Sequence, residues 1–431
     1  MGLAQAAGLG MTEWRNWSGS VVSHPARIAR PRDEAELAEV IRGSPRLRVT
    51  GAGHSFTPLC ETGGTLVSLA DMDGKLVVAD DQRTIEAPGG WSLKRLTEAL
   101  WEQGLSLPNQ GDVNSQALAG ALATGTHGTG RDLGSLSSLA EGFRLVTASG
   151  EIVACDRDTD PELFDAQRLS LGVLGVATRA RVRVMPAFHL EERIERRALD
   201  EVLESLDELS AATRHVEFFL FPYANQVLLK TLHPCEDVGA ELTDDPDNAV
   251  FQACCDLAAA APGAVLPIQR WLTRMWRPST RTGPSWRIFP AEREVRFEEM
   301  EYEVPLAQAV PALREVVARV RSERMPLIFP LEFRLVASDD IWLSPFRGNP
   351  CASISVHQYA RMPWAEAFAD LETILRRHGG RPHWAKRHTL SADDVLSLYP
   401  RARDFGRVRK RLDPEAKFMN AHTAQLLGFS L

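Results

Sequence analysis

Cysteine is scarce and unpatterned in this chain. Six of them, Cys60, Cys155, Cys235, Cys254, Cys255 and Cys351, are scattered over 431 residues. With no C-x-x-C and no zinc-like spacing, they are too sparse for a disulfide framework in a chain of this length. A small secreted scaffold and a zinc module are thereby excluded, and a reducing, cytoplasmic setting is expected. Long apolar runs are also missing. No segment reaches the roughly 18 apolar residues of a membrane-spanning helix, and the N-terminal MGLAQAAGLGMTEW lacks the charged start and apolar stretch of a signal peptide. Met11 reads as an alternative start, and the Asn16-Trp17-Ser18 sequon has no use in a cytoplasmic chain. Positive charge is outweighed, 49 Lys and Arg against 57 Asp and Glu for a net charge of -8, with no basic run or stripe. A phosphate-backbone partner, and so nucleic acid, has nothing to hold. Neither G-x-G-x-x-G opening a helix nor G-x-x-x-x-G-K-[ST] occurs, which removes the Rossmann and P-loop readings.

What is present is ordinary globular material, 44% hydrophobic and 25% charged, in a chain long enough to outgrow a single core. Two domains are expected, divided near Pro186. In the first, PRDEAELAEVIRGS predicts a helix capped by Asp33 and ended at Gly43, followed by a strand at RLRVTGAG. TLVSLADMDGKLVVADDQRTIEAPGG predicts a hairpin turning at Asp73-Gly74, SLKRLTEALWEQG a helix, and GFRLVTASGEIVACD a hairpin turning at Ser149-Gly150. After Pro186, long strands are expected at HVEFFLFPYANQVLLKTL, REVRFEEMEYEVP and ASISVHQYARM. Helical patterns at AVFQACCDLAAAA, LAQAVPALREVVARVRSE and WAEAFADLETILRRHGG separate them. The fold class is therefore α+β with a mainly antiparallel second sheet. The mildly acidic stretch from Glu236 to Asp247 reads as solvated surface, and Cys254, Cys255 and Cys351 as packing residues.

Two small-residue loops stand out in the first half, TGAGHS and ATGTHGTG. Residues with little or no side chain let backbone N–H groups approach a phosphate without a Cβ clash. Either loop alone reads as a tight turn; two in one domain, each with a histidine, point to a ligand. In the second half, LEFR places Glu332 and Arg334 on one face of a strand, since residues two apart share a side. A carboxylate and a guanidinium flanked by apolar residues are costly to bury unless they bind or react.

GAGHS, then GALATGTHGTG, then LGVLGVAT resemble the FAD-binding domain of the vanillyl-alcohol oxidase type. PLEFRLVASDDIWLSP, GGRPHWAKRHTL and RLDPEAKFMNAH resemble the aldonolactone oxidases and their relative alditol oxidase. The resemblance runs from about Trp17 to the end and implies a flavoprotein with an FAD-binding domain over residues 12–186. It further implies a cap domain over 187–431, whose C-terminal segment, about 395–431, returns to the flavin domain. By resemblance His54 is the residue that carries FAD covalently, inside a loop formed by Gly51, Ala52, Gly53, Ser55 and Phe56. Ala117, Gly120, Thr124, Gly125, Thr126 and Gly128 would lie against pyrophosphate and isoalloxazine, lending N–H groups, and Gly175 and Val176 beside adenine and the ribityl chain. His127 reads as structural, bonding its own loop, and Trp384 as packing.

The same resemblance places catalysis on Glu332, Arg334 and Lys386, with Lys386 and His383 facing the flavin N1–C2 edge, where a cation stabilises reduced flavin. His357 and Tyr359, on one face of a strand, are candidate substrate-binding groups, and Asn420 a candidate flavin contact. The implied reaction is oxidation of the C2 hydroxyl of an aldono-1,4-lactone by hydride transfer to flavin N5. Oxygen or an electron carrier would be the final acceptor, and no metal is called for. GGRPHWAK followed by His388, together with SVHQYAR, favours lactones; oxidation of an open polyol such as xylitol is the alternative, and a noncatalytic FAD module the reading from another class.

Overall fold

The computed structural model describes residues 13–236, 248–291 and 294–429; the alternative start at Met11 and nearly all of the acidic stretch 236–247 lie outside the described residues. Local capping chemistry sets the helix starts. Glu34–Arg42 begins where the Asp33 carboxylate accepts the Glu36 N–H and ends at Gly43, and Leu93–Glu102 begins where Ser92 accepts the Arg95 N–H. Arg27–Ala29, Thr65–Ser68 and Leu47–Thr50 form a small parallel sheet. Ile152–Cys155, Ala140–Val146, Val176–Arg183, Thr84–Pro88 and Val77–Val78 form an antiparallel one, with the expected hairpin turning at Gly150 at φ +80°. The hairpin expected at Asp73-Gly74 does not form. The strands on its two sides join different sheets, and the actual turn lies at Ala79 to Thr84, where the Ala79 N–H bonds the Thr84 carbonyl at 3.0 Å. Gly74 instead presses on Pro88, whose Cγ would lie 2.6 Å from a Cβ at that position. Alternation showed that both segments are strands but carried no information on their partner.

The second half is built on an eight-stranded antiparallel sheet: β1 His189–Ala198, β2 His215–Leu220, β3 Gln226–Cys235, β4 Ser279–Pro284, β5 Phe297–Pro305, β6 Leu331–Val336, β7 Cys351–Tyr359 and β8 Arg381–Pro382, in the order β4-β1-β3-β2-β6-β7-β5-β8. Alternate residues of its central strands go to opposite sides. Phe218, Phe333, Ile354, Val356, Met300 and Tyr302 face helices Leu306–Ser322 and Ala365–Arg377 and make one apolar cluster with them. Phe218 and Phe333 stack at 4.7 Å. Fully burying such a side chain contributes about 1.5–3 kcal/mol, so this face anchors the sheet.

The other face is charged, and it is buried as well. Elements from the first half cover it: the Gly130 N–H bonds the Leu335 carbonyl at 2.7 Å, and Thr129 receives the Leu335 N–H at 3.2 Å. C-terminal helices Ala392–Leu398, Ala402–Leu412 and Ala421–Leu427 return to the first half. Val395, Phe405, Val408 and Leu426 join Leu96, Phe143 and Phe164 in its core.

Candidate active site

The strand register converts a linear pattern into a two-dimensional array of charge. Glu303, Ser353, Arg334, Glu217 and Lys230 lie directly opposite one another across β5, β7, β6, β2 and β3. In the next rows Glu301 faces Ser355 and Ser355 faces Glu332, while Glu299 faces His357. Directly opposed residues have Cβ atoms about 4.5–5.5 Å apart, close enough for each charge to set its neighbour's protonation. Arg334 Nη2 donates to Glu301 Oε1 at 3.1 Å and its Nε lies 3.6 Å from Glu332 Oε1. Ser353 Oγ donates to Glu301 Oε1 at 2.6 Å, His357 Nε2 stands 3.4 Å from Glu299 and 3.9 Å from Glu332, and Lys230 Nζ lies 2.9 Å from Glu217.

Three loops meet this array. His127, from the second small-residue loop, donates Nε2–H to Glu301 Oε1 at 2.6 Å and Nδ1–H to the Gly128 carbonyl at 2.8 Å. The HWAK segment is laid along β5 by backbone bonds from His383 N–H to the Glu301 carbonyl, 3.0 Å, and from Arg387 N–H to the Glu299 carbonyl, 2.8 Å. Lys386 Nζ thereby reaches the Glu299 carboxylate and lies 3.7 Å from Glu301. The first small-residue loop is tied to the same segment by the Phe56 N–H to the Ala385 carbonyl, 2.7 Å, and Thr57 Oγ1 to the Trp384 carbonyl, 3.0 Å.

Burial opposes ionisation throughout, and neighbouring charges overcome it at some groups and not at others. Against that cost, Lys386 and His357 hold Glu299 at about 2, and Arg334 and His127 hold Glu301 well below the carboxylate range. Glu303 and Glu301 outweigh burial to raise His127 to about 9, so it stands as an imidazolium at neutral pH. Glu303 goes the other way, raised by burial with the Glu301 charge adding to it, and Glu217 rises to about 7, chiefly by burial. Burial and Lys386 lower His383 to about 3 against the opposing pull of Glu301, and burial with Lys386 and Arg296 lowers His54 to about 4. Both are neutral imidazoles. Two sets, His127 with Glu301 and Glu303, and Asp112 with Glu217 and Glu332, cluster closely enough to hold a cation. His127 itself and the Arg334 and Lys230 side chains already supply positive charge to these carboxylates.

The expected residues fall into two groups. Glu332, Arg334, Lys386, His357 and His383 lie together in this array, and His54 lies at the edge of the assembly. Its Nε2 is 2.7 Å from Ser115 Oγ and its ring stacks on Trp17 at 5.3 Å. Gly51 touches the second loop, where a Cβ would lie 2.8 Å from the Ala117 Cβ. The backbones of Gly51, Ala52 and Gly120 are exposed, and among the described residues no partner receives the N–H of Ala52, Gly53, His54 or Ser55.

Other residues have different work. Gly125 is the left-handed C-cap of Leu118–Thr124, φ +80°, and its N–H and that of Thr126 bond back to that helix, while Thr124 Oγ1 bonds the Gly120 carbonyl at 3.0 Å. These groups close a helix instead of lending N–H to a ligand. Gly128 permits close packing, since a Cβ there would lie 2.0 Å from the Gln110 carbonyl oxygen. Gly175, φ +146°, passes against the Val146 carbonyl, and the Val176 side chain enters the core beside Leu37 and Phe418. Asn420 caps helix Ala421–Leu427 and donates to the Pro58 carbonyl at 2.7 Å and the Glu61 carbonyl at 2.9 Å, bracing the end of the first loop. The Tyr359 hydroxyl is held by Asp256 at 2.7 Å and Gln252 at 2.8 Å, so it serves helix Asn248–Ala260. His127 bonds its own loop as expected, but its ion pair with Glu301 makes it part of the charged array. Trp384 is packing, fully buried with its Nε1–H on the Leu343 carbonyl at 2.6 Å.

Sequence reasoning missed Glu299, Glu301, Glu303, Ser353, Ser355 and Ser115. The signal for the acids was present: in FEEMEYEVP glutamates recur every second residue between Met300, Tyr302 and Val304, which describes a strand with one charged face. Ser115 has no such signal, because its proximity to His54 arises only when the two loops meet.

Several buried polar atoms at the site have no hydrogen-bond partner in the described chain: both Glu303 oxygens, Glu332 Oε1, Arg334 Nε and Ser355 Oγ. Orphaned polar atoms beside an exposed, side-chain-poor loop with free N–H groups fit a large polar cofactor and a hydroxylated substrate. Residues 25–156 match the FAD binding domain family, and residues 180–426 match the family described as D-arabinono-1,4-lactone oxidase. The chain is 37% identical over 426 residues to the L-gulono-1,4-lactone dehydrogenase of Mycobacterium tuberculosis, covering 96% of this chain and 99% of that one. It is 29% identical over 427 residues to the L-gulonolactone oxidase of Bos taurus, with 95% and 97% covered. It is 30% identical over 426 residues to the alditol oxidase of a Streptomyces species, with 96% and 98% covered. In fold it is similar to the cholesterol oxidase of B. sterolicum, TM-score 0.83 at 16% identity, covering 99% of this chain and 100% of that one. With an FAD-binding domain joined to a lactone-oxidase cap, the chain belongs to the D-arabinono-1,4-lactone oxidase family of flavin-dependent oxidoreductases acting on CH–OH groups.

Proposed function

We propose that the protein oxidises the C2 hydroxyl of an aldono-1,4-lactone of the L-gulono or L-galactono type, the 2-keto product tautomerising to an ascorbate-type enediol. The observation that carries this reading is the buried charged array, in which Glu332, Arg334, His357, Glu299 and Lys386 present carboxylate, guanidinium, imidazole and ammonium to one space. Such a lining suits a substrate with a hydroxyl on nearly every carbon and would leave an apolar one with charges unsolvated. Bound FAD supplies the hydride acceptor. Glu332, with one oxygen unpartnered, is placed to accept a hydrogen bond from the reacting hydroxyl and to hold its departing proton. Arg334, fixed by Glu301, orients Glu332, and Lys386, held beside Glu299 and Glu301, would supply positive charge to bound flavin.

His54 is the proposed covalent tether. Its neutral imidazole has a nucleophilic nitrogen at neutral pH, and Ser115 and Trp17 hold the ring in place. The final electron acceptor would be oxygen or an electron carrier. The six scattered cysteines, with no C-x-x-C and no zinc-like spacing, support a reducing, cytoplasmic setting. Two measurements test the reading. Anaerobic bleaching of the flavin should have a kcat/KM for L-gulono-1,4-lactone at least about tenfold above that for xylitol, and the reverse preference would replace the lactone by a polyol. Acid-precipitated protein should stay yellow and His54→Ala should release its colour; free flavin from the unmodified protein would remove the tether and leave the reaction standing.

A further inference from the structure

Among the described residues eight large apolar side chains stand exposed, and five of them, Val250, Leu257, Leu266, Trp271 and Met275, belong to two consecutive helices, Asn248–Ala260 and Val265–Met275. Their exposure is a matter of position. The opposite faces of both helices are committed, through Cys255, Ala258, Ile268 and Leu272, to the cluster around Phe221, Phe297 and Phe329. On the first helix Val250, Ala253, Leu257 and Ala260 form an outward stripe at helical spacing, and Asp256, its one charged residue, is engaged by the Tyr359 hydroxyl and Arg361. On the second helix Leu266, Arg270 and Arg274 recur every fourth residue, and Trp271 and Met275 form the adjoining row.

Beside this apolar surface lies a cleft of about 520 Å³ whose lining includes Arg270, Arg274, Arg321 and Arg324. The hydrogen bonds they make go to neutral oxygens: Arg321 Nε bonds the Pro222 carbonyl at 2.6 Å, Arg321 Nη2 the Ala224 carbonyl at 2.8 Å and the Asn225 side-chain oxygen at 3.0 Å, and Arg270 Nε the Tyr223 carbonyl at 3.4 Å. Among the described residues no carboxylate pairs with any of the four, whereas the neighbouring Arg319 holds both Asp370 and Glu323. In a chain of net charge -8, four arginines with no carboxylate ion pair among the described residues stand beside an uncharged stripe.

A second copy of the chain answers this surface poorly. A two-fold contact repeats the same patch on both sides, so it would set one arginine cluster against the other. An anionic bilayer answers both halves at once, with headgroup phosphates for the guanidinium groups and the acyl boundary for Trp271, Leu266 and Met275. We infer that the helices Asn248–Ala260 and Val265–Met275 form an interfacial anchor that seats the protein on a membrane surface of anionic phospholipid. The anchor packs on the active-site strands: Phe251 meets Phe329 at 4.8 Å, and Phe329 and Phe297 both flank the His357 ring. Docking therefore fixes the orientation of the His357 end of the site relative to the bilayer.

The test uses the flavin-loaded full-length protein in flotation with vesicles of phosphatidylcholine alone or mixed with phosphatidylglycerol. It should float with the mixed vesicles and bind pure phosphatidylcholine, or mixed vesicles in high salt, at least about tenfold more weakly. Arg270→Glu combined with Arg274→Glu should abolish the preference for the anionic lipid, and Trp271→Ser combined with Met275→Ser should weaken binding to both, with lactone-driven bleaching in solution unchanged. No flotation with mixed vesicles, or flotation unaffected by both double variants, overturns the inference. A solution dimer dissolved by the same variants in sedimentation velocity would assign the surface to a second copy instead.

Discussion

The two faces of the eight-stranded sheet come from the same strands, yet they hold together by opposite means. Phe333 and Ile354 point into an apolar cluster with two helices, and their neighbours Glu332 and Ser355 point into the charged array. Removing apolar area from water stabilises the first face almost regardless of detail. The second face must desolvate several carboxylates, and pairing them with Arg334, Lys386, His127 and Lys230 offsets that penalty only in part. The lesson is a division of labour at single-residue spacing. One face keeps the backbone of β5, β6 and β7 in place so that the other can hold charges, some of them unpartnered, where a substrate will meet them.

Adjacent substitutions on β6 should separate the two contributions most widely. Glu332→Gln keeps the shape and leaves the Arg334–Glu301 pair intact, so turnover should fall by about a hundredfold or more with little change in melting temperature. Phe333→Ala should cost about 3–5 kcal/mol of stability while flavin bleaching per folded molecule changes little. Equal damage to both properties in both variants would break the comparison.

A second difference is pH. His127, raised to about 9 in the folded protein from an ordinary value of 6.5, binds its proton more tightly when folded than when unfolded. Its contribution is therefore complete below about pH 6.5 and is lost as pH rises through about 9. Thermal melts should show stability declining across that window and a flatter profile in His127→Gln; an unaltered profile would remove the ion pair from the account. The smallest contrast lies on β7. Ile354→Val should cost about 0.5–1.5 kcal/mol, whereas Ser355→Ala, which deletes a hydroxyl with no partner, should leave stability unchanged and raise KM for the lactone.

Much of the site was legible because its signals are local. His54 and the bare loop around it, Glu332 and Arg334 two apart on a strand, and HWAK are each visible in a few consecutive residues. The second small-residue loop was harder to read, since Gly125 as a helix cap and Gly128 as a close-packing point look the same in sequence as glycines that cradle a phosphate. The same limit applies to Asn420 and Tyr359, whose partners lie far away in the chain at residues 58 to 61 and 252 to 256.

By itself the sequence determined the elements, the alternation that sends β5, β6 and β7 residues to two faces, and the residue types able to carry the chemistry. It did so because capping, hydrophobic period and side-chain chemistry act over a few residues. Only the tertiary structure decided that Glu299, Glu301 and Glu303 face His357, Ser355 and Ser353, that His127 reaches across to Glu301, and that Ser115 stands beside His54. These pairings depend on strand register and on loops brought together from distant parts of the chain. They are fixed when burial of the apolar face selects one register, since a slip of one residue would exchange the two faces of the sheet.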